Sequence, residues 1–385
     1  MSDAGVVERL PLEGFTVGVT AERRAEELGA LLARRGAEVV HAPALRVVPL
    51  ADDRELRDAT EGLVARPPDI VVASTAVGFR GWIEAAEGWG TGGALLETLG
   101  GARLLTRGPK VKGAVRAAGL REEWSPHSES MAEVLERLLA EGVDGRRVAV
   151  QLHGEPVPGF AEALRAGGAE VVAVPVYRWL PPADLAPVDR LLDLTLRRGV
   201  DALTFTSAPA AASLLRRAEA RGQLSSFVGT LADGVLPVCV GPVAAQPLQA
   251  LGVEPVRPER FRLGPMVQRV CEELPARARV LPVAGHQVQI RGHAVLVDGE
   301  LRPVPPAGMA LLRALARRPG RVVGRAALLR ALPGAARHEH AVETATARLR
   351  TALGAPELIQ TVVKRGYRLA LDPLAAGADE GEGPA

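Results

Sequence analysis

Between residues 14 and 265 the chain alternates short, continuously apolar runs with segments that have the periodicity of amphipathic helices. The first pair is typical: residues 15–19 are apolar, and Leu28, Leu31 and Leu32 then fall on one face of the helix that follows. Apolar runs of this kind are typical of strands buried on both faces, and the helices provide the cover. We therefore predict a doubly wound α/β fold with parallel sheets. Further strands are predicted at 69–75, 102–106, 147–152, 169–177, 201–206 and 236–241.

Two extended stretches flanked by prolines interrupt this pattern, at residues 43–50 (PALRVVPL) and 175–182 (PVYRWLPP). If they run side by side, the chain leaves a first α/β domain, builds a second, and returns to complete the first. The pattern of residues alone does not decide whether the two stretches pair.

After residue 272 the pattern changes. Residues 286–304 alternate with period two around Asp298-Gly299, which indicates a β-hairpin. Helical patterns follow, and residues 358–371 then read as two short strands with Lys364-Arg365-Gly366 at the turn. The predicted helices lie at 306–318, 324–332 and 339–354.

Composition restricts the class of protein. With 47% hydrophobic and 24% charged residues the chain is globular, and with 3% aromatic residues it has few side chains on which single-stranded nucleic acid could stack. We find no long apolar run and no leader pattern, so we expect a cytoplasmic protein that does not contact membranes. Cys239 and Cys271 are too few for a disulfide framework or a thiolate metal site.

Charge is distributed unevenly. Residues 286–371 hold fourteen Lys or Arg against five Asp or Glu, whereas the whole chain carries a net charge of +2. A compact basic segment after a near-neutral body is typical of a module that binds nucleic acid.

The helix predicted at 339–354 has two distinct faces. Val342, Ala345, Leu349 and Leu353 form its apolar stripe, and the remaining face is polar and basic. Such a helix fits the major groove of double-stranded DNA, where an arginine can make two hydrogen bonds to a guanine. The polar face consists of His340, Glu343, Thr344, Arg348 and Thr351, with Arg350 at its edge.

The order of hairpin, three helices and basic terminal hairpin resembles the winged helix-turn-helix of OmpR/PhoB-type response regulators, most closely in the segments HAVETATARLRTALG and TVVKRGYRLAL. A receiver domain usually precedes that module, but the acidic residues it needs are missing after VGVTAERR and VVASTAVG, so phosphorylation control is not expected. The alternative to DNA binding is a degenerate interaction domain. The resemblance assigns base contacts to Arg348 and Glu343, phosphate contacts to His340 and Arg350, and minor-groove contacts of the wing to Lys364 and Arg365.

Small polar residues and glycines follow the predicted strands or open the helices. In open α/β sheets, ligands bind outside the carboxyl ends of the strands, where helix N-termini present free amides to anions. Each residue alone is also explained as a helix cap, but many of them in one cleft would suit a ligand with several carboxylates. We find no P-loop, GxGxxG, GxSxG or HExxH motif, and we expect no metal site. The candidate binding residues are Thr20, Ser74, Thr75, Gly108, Ser128, Ser130, His153, Gly154, Thr206, Ser207 and Gly241.

Roughly residues 14–270 resemble the uroporphyrinogen-III synthase family. The resemblance implies two α/β domains joined by a two-stranded ladder, which the stretches 43–50 and 175–182 would form. It also implies cyclisation of hydroxymethylbilane to uroporphyrinogen III, with loss of water and inversion of ring D, and no cofactor. The motif tyrosine of the family falls on Tyr177, which would help the terminal hydroxyl to leave. The matching segments are VTAERRAEELGALLARRGAEVVHAPALRVVPL, GPKVKGAVRAAGL, ALRAGGAEVVAVPVYRW, DALTFTSAPAAASLL and VCVGPVAAQPL.

Three residues depart from that family. Val111 and Ala244 stand where it usually has threonine, and Ala21 stands where an arginine often follows the first strand. Two functions therefore remain open: a synthase fused to a transcriptional regulator, or a non-catalytic regulator that senses a tetrapyrrole or related metabolite, for example for nitrate or nitrite assimilation genes. In either case, binding of the module to DNA as a dimer or with a co-regulator stays open.

The expected organisation has five segments. They are a discontinuous α/β domain (1–45 and 180–271), a second α/β domain (46–179), a linker (272–284), a winged-helix domain (285–371) and a disordered acidic tail (372–385).

Overall fold

The computed structural model describes residues 9–49, 54–152, 159–333 and 340–372. These residues form two compact units, of which unit 1 takes its residues from 1–44 and 182–385 and unit 2 from 45–181. Each unit contains one open parallel sheet with helices, so the predicted α/β fold class is confirmed. In the described part of the chain, no helix is long and apolar enough to cross a bilayer.

The strands and helices are numbered in chain order. The strands are β1 Thr16–Val19, β2 Glu38–His41, β3 Arg46–Pro49, β4 Ile70–Ala73, β5 Arg103–Thr106, β6 Arg147–Leu152, β7 Glu170–Pro175, β8 Tyr177–Leu180, β9 Ala202–Phe205, β10 Leu236–Cys239, β11 Val280–Val283, β12 His286–Ile290, β13 Ala294–Val297, β14 Glu300–Pro303, β15 Ile359–Val362 and β16 Gly366–Leu369. The α-helices are α1 Ala25–Ala33, α2 Arg54–Ala65, α3 Ala76–Gly88, α4 Gly92–Gly100, α5 Pro109–Ala117, α6 Met131–Glu141, α7 Phe160–Ala166, α8 Ala186–Leu196, α9 Ala208–Ala220, α10 Leu224–Ala232, α11 Pro242–Gln249, α12 Leu263–Arg277, α13 Pro306–Ala316, α14 Arg325–Ala331 and α15 His340–Leu353.

The α/β part of unit 1, residues 9–44 and 182–277, is built on the parallel sheet β10-β9-β1-β2. Strands β1, β9 and β10 are buried along their whole length, which explains their mainly apolar sequences. Edge strand β2 is more exposed and carries polar residues at both ends.

Unit 2 is built on the parallel sheet β5-β4-β6-β7. Strands β3 and β8 pair antiparallel beside it, with Val47 opposite Trp179 and Pro49 opposite Tyr177. The two proline-flanked stretches therefore run side by side, and the predicted two-stranded ladder is confirmed.

The C-terminal module, residues 280–371, consists of the antiparallel sheet β11-β12-β13-β14, helices α13 to α15 and the hairpin β15-β16. Asp298 and Gly299 both have positive φ in the turn between β13 and β14, as a two-residue hairpin turn requires. The core joins the sheet to the helices, and it includes Val295, Leu312, Leu349 and Tyr367.

Residues 272–284 differ from the expected linker. Residues 272–277 complete helix α12, and residues 280–283 are strand β11. The helix continues because Met266, Val270 and Leu274 recur at a spacing of four and are buried in the core of the α/β part. Few residues therefore connect α12 of the α/β part to β11 of the C-terminal module.

Candidate functional site

At the carboxyl edge of the unit 1 sheet, three neighbouring strands are each followed by a candidate residue. Thr20 follows β1, Thr206 and Ser207 follow β9, and Gly241 follows β10. The Ser207 hydroxyl accepts a hydrogen bond from the Ala210 amide at 3.4 Å and caps α9, while Gly241 opens α11 with a proline after it. Two helix N-termini therefore lie at this edge, and their amides favour anions.

Thr20 is engaged inside the sheet. It is fully buried, and its hydroxyl donates to the Thr204 carbonyl oxygen at 2.8 Å. The Thr204 hydroxyl in turn donates to the Gly18 carbonyl oxygen at 2.9 Å. The Thr20 hydroxyl thus fastens β1 to β9 and is not presented at the surface.

At the carboxyl edge of the unit 2 sheet, Ser74 and Thr75 follow β4 and Gly108 follows β5. Thr75 caps α3 by accepting a hydrogen bond from the Gly78 amide at 3.2 Å. Gln151 of β6 was not among the predicted site residues. Its side-chain amide accepts a hydrogen bond from the Ser74 backbone amide and donates one to the Thr75 carbonyl oxygen. A polar residue inside the apolar run RVAVQL was the available signal. His153 and Gly154 lie outside the described residues.

Two hydroxyls at this edge are fully buried and have no hydrogen-bond partner among the described residues: Ser74 Oγ and Thr106 Oγ1. The two lie close in the sheet, since Ala73 of β4 is in register with Thr106 of β5. Unsatisfied buried polar groups are uncommon in folded proteins and often mark functional positions. Ser74 was predicted, whereas Thr106 was not selected.

The loop before α6 lies against the same edge. A side chain at Gly108 would meet Glu129 at 3.0 Å, which places the loop over the start of α5. Ser130 accepts from the Ala132 amide at 3.1 Å and caps α6, and the exposed Ser128 hydroxyl donates to Glu133. These two serines are therefore brought to the edge together with Gly108.

Two of the three basic residues of α5 form ion pairs within unit 2. Lys112 and Arg116 both bind the buried carboxylate of Glu122, at 2.9 and 2.7 Å. The hydrogen bond from Arg116 is the largest cause that lowers the pKa of Glu122 to about 2. These two cations are therefore already paired and hold the end of α5 in place.

Tyr177, the first residue of β8, lines a cavity of about 430 Å³ in unit 2. Its ring is 8% exposed and lies 6.3 Å from the ring of Trp179. Both apolar and charged groups face the cavity, and the charged ones, Arg80 and Glu84, have opposite signs, a combination that suits an organic ligand with polar substituents. The cavity is lined by Val47, Val77, Arg80, Gly81, Glu84, Ala85, Gly88, Trp89, Val176 and Tyr177.

The three residues that depart from the family pattern are all buried. Ala21 is 1% exposed, and Val111 and Ala244 are each 3% exposed. Val111 packs in the hydrophobic core of unit 2 and Ala21 in that of the α/β part of unit 1. The departures therefore alter the packing beneath the two edges, and the backbone amides at the starts of α5 and α11 are kept.

In the C-terminal module, α15 buries the predicted stripe and exposes the predicted polar face. Arg348 is exposed, with no ion pair or hydrogen bond to its guanidinium among the described residues. Glu343 lies 3.4 Å from the ring of exposed His340 and 3.6 Å from Arg325. Arg348 is thus the cation on this face that is available to a partner.

Arg350, for which a phosphate contact is predicted, also makes contacts within the module. Its guanidinium donates to the Ile359 carbonyl oxygen at 2.6 Å and to the Thr361 hydroxyl at 3.0 Å, and it lies 5.9 Å from the centre of the Tyr367 ring. Arg350 therefore braces the hairpin β15-β16 against α15.

The turn of that hairpin presents Lys364 and Arg365 to solvent, with Lys364 at a φ of 60°. Gly366 has a φ of 133°, and a Cβ there would lie 2.1 Å from the Val323 carbonyl oxygen. Only glycine fits this position, which explains the first residue of the Gly-Tyr-Arg sequence. Among the described residues, no cluster of His, Cys, Asp or Glu could hold a metal ion.

In comparisons with known proteins, a family model matches each of the two parts of the chain. The family described as uroporphyrinogen-III synthase HemD matches residues 26–268, and the family described as transcriptional regulatory protein, C terminal, matches residues 300–369. The chain is 27% identical over 262 residues to protein YjjA of Bacillus subtilis (strain 168), with 68% of this chain and 96% of that protein covered.

Two solved structures are also similar. A mutant uroporphyrinogen III synthase from the extremely thermophilic bacterium Thermus thermophilus is 30% identical with a TM-score of 0.56, and the match covers 67% of this chain and 98% of that one. The RstA DNA-binding domain of Klebsiella pneumoniae, in complex with the RstA box, is 28% identical with a TM-score of 0.21 over 24% of this chain and 97% of that one. The chain therefore belongs to the uroporphyrinogen-III synthase family, and it carries a DNA-binding domain of transcriptional regulators fused to the synthase-like region.

Proposed function

We propose that this protein is an active uroporphyrinogen-III synthase whose C-terminal module binds duplex DNA and regulates transcription. The catalytic part of the proposal rests on the position of Tyr177, which matches the motif tyrosine of the family. Its side chain lines the unit 2 cavity, which is large enough to hold a ligand. The helix N-termini at the carboxyl edge of the unit 2 sheet support binding of a substrate with many carboxylates.

The proposed reaction begins from hydroxymethylbilane. The Tyr177 hydroxyl donates a hydrogen bond or a proton to the terminal hydroxyl, which leaves as water. The chain of pyrroles then closes with inversion of ring D. The proposal needs no cofactor, because the leaving group requires only a proton donor and the carboxylates require only amides and hydroxyls.

Buried departures from the family pattern support this proposal over a ligand sensor. Had Val111 and Ala244 been exposed at the sheet edges, two substrate contacts would have been lost. Since both are buried, their effect is on packing, and the amides of α5 and α11 stay in place.

The test is conversion of hydroxymethylbilane by the full-length chain, without added cofactor. We expect the type III isomer to dominate, because spontaneous closure does not invert ring D. If only the type I isomer forms, the protein is not a synthase. Duplex binding measured with and without uroporphyrinogen would then decide whether the synthase fold serves as a sensor.

A further inference from the structure

A three-residue turn of the C-terminal module reaches the α/β part of unit 1. Arg291, Gly292 and His293 connect β12 to β13 and lie against the amino edge of the sheet β10-β9-β1-β2, where β1 begins and β9 is about to begin. This edge is opposite to the carboxyl ends at which the candidate ligand residues lie. The contact and the candidate site therefore do not compete for the same surface.

The two outer residues of the turn bind backbone groups before β1. The His293 amide donates to the Gly14 carbonyl oxygen at 2.8 Å. The Arg291 guanidinium donates to the Glu13 carbonyl oxygen at 2.7 Å and lies 5.1 Å from the centre of the Phe15 ring. Arg291 is only 8% exposed, and a buried cation with these bonds resists displacement because releasing it breaks all of them together.

The central residue of the turn fits only as glycine. The Asp201 carboxylate accepts a hydrogen bond from the Thr16 amide at 2.7 Å, and it lies directly beneath the turn. A Cβ at Gly292 would come within 2.0 Å of Asp201 Oδ2. The turn and the carboxylate are therefore in close van der Waals contact.

A cation from the module completes the contact. Arg313 of α13 donates to the Gly292 carbonyl oxygen at 2.6 Å and to the Arg198 carbonyl oxygen at 3.2 Å, and its charge acts on Asp201. Helix α13 packs on α15, where a Cβ at Gly308 would lie 3.3 Å from Leu349. The residue that holds the turn thus belongs to the helix that supports α15.

We propose that the Arg291–Gly292–His293 turn is a docking element that fixes the C-terminal module to the amino edge of the α/β sheet. The module then presents Arg348 and the hairpin β15-β16 from one position on the synthase-like region, and not from a flexible tether. This inference concerns the contact within unit 1 and does not depend on whether the protein is catalytically active.

The contact has a proton-linked component. Burial raises the pKa of the Asp201 carboxyl to about 6, although the Thr16 amide, Arg313 and His293 act in the opposite direction, and Glu38 raises it further. An exposed aspartate titrates at about 3.9, so the docked form binds the proton more tightly. Protonation of Asp201 therefore favours docking. Its contribution to the free energy of docking decreases as the pH rises from about 4 to about 6 and is constant above that range. In ¹³C NMR titrations we expect the Asp201 carboxyl to have its midpoint near 6 in the wild type and near its ordinary value in Gly292→Ala.

Docking is tested with Gly292→Ala, which places a methyl group where Asp201 lies. Gly264→Ala in α12 is the matched control, because a Cβ there meets nothing within 4 Å. Spin labels at Ala220→Cys in α9 and Ala347→Cys in α15 report the distance between the two parts of unit 1, since both positions are exposed and the native cysteines are buried.

In pulsed electron paramagnetic resonance we expect one narrow distance distribution for the background and for Gly264→Ala, and a distribution several-fold broader for Gly292→Ala. Asp201→Asn replaces the carboxyl with a neutral amide of the same shape, which resembles the protonated form that favours docking, so we expect it to keep the narrow distribution. Asp193→Asn, at a half-buried ion pair with Arg221, is its control. A broad distribution in the background protein, or a narrow distribution in Gly292→Ala, would overturn the docking element, and a broad distribution in Asp201→Asn alone would overturn its proton-linked component.

Discussion

Replacing Tyr177 with phenylalanine should lower the turnover of hydroxymethylbilane by roughly 10²–10⁴-fold, the usual loss when one acid or base group is removed. The substitution keeps the ring, which is 8% exposed and packs near Trp179, so the cavity wall should keep its shape. Only the hydroxyl is lost, and with it the proposed proton donor to the leaving group. The measurement is the initial rate of type III isomer formation over a range of substrate concentrations.

Tyr367→Phe provides a matched control, because the chain has two tyrosines and Tyr367 lies in the C-terminal module. We expect its turnover to equal that of the wild type. A loss in Tyr177→Phe that appears only in KM would indicate that the hydroxyl binds substrate and does not act on the leaving group. A fully active and stably folded Tyr177→Phe would exclude the residue from the mechanism.

The fold was predictable from the sequence because its strands carry a strong local signal. The apolar runs before Thr20 and Ser74 are strands buried on both faces, and such strands consist mainly of apolar residues. The turn at Asp298-Gly299 was equally local, since it depends on positive φ values that few residues adopt. The start of α11 was local too, because the ring of Pro242 fixes a φ that suits the first position of a helix.

The uses of individual polar side chains were less predictable. Thr20 was expected at a ligand site, yet its hydroxyl binds the Thr204 carbonyl oxygen of the adjacent strand. Arg350 is predicted to contact phosphate, and a second role was not predicted: its guanidinium donates to the Ile359 carbonyl oxygen. In both cases the side chain donates a hydrogen bond to a backbone carbonyl oxygen that tertiary packing brings near it. No local sequence pattern predicts which carbonyl group will lie there.

The contacts of the docking turn were not predictable either, because they join residues that are far apart in the sequence. The sequence IRGHAV reads as an ordinary connection between two strands, and the partner of Arg291 at Glu13 is 278 residues away. The signal that was present is Gly292, a small residue between an arginine and a histidine, but glycine is required there because of the Asp201 carboxylate beneath it. A glycine required by a close approach cannot be distinguished from a turn glycine until both parts are in place.

Replacing Arg348 with alanine should weaken binding to the specific DNA site by ~1–3 kcal/mol, or roughly 5- to 150-fold, and relax the preference at one base pair. Arg348 is the exposed cation on α15 that no described residue engages, whereas Arg350 braces the hairpin. An arginine that contacts base edges makes those hydrogen bonds only on the correct sequence. Its removal should therefore change non-specific binding little.

Lys364→Ala and Arg365→Ala should affect DNA binding differently from Arg348→Ala. Lys364 and Arg365 lie on an exposed hairpin turn and not on the helix that is proposed to contact base edges in the major groove. We expect each to weaken binding to all sequences alike and to reduce the slope of log K against log salt by roughly 0.9 per lost phosphate contact. Arg216→Ala, an exposed position on α9, controls for the change in net charge and should bind as the wild type does. Salt titrations on duplexes from the promoter region of this gene separate the classes. If Arg348→Ala weakens every duplex equally, as the two hairpin variants are expected to do, then Arg348 contacts the DNA backbone and the base-reading role is wrong.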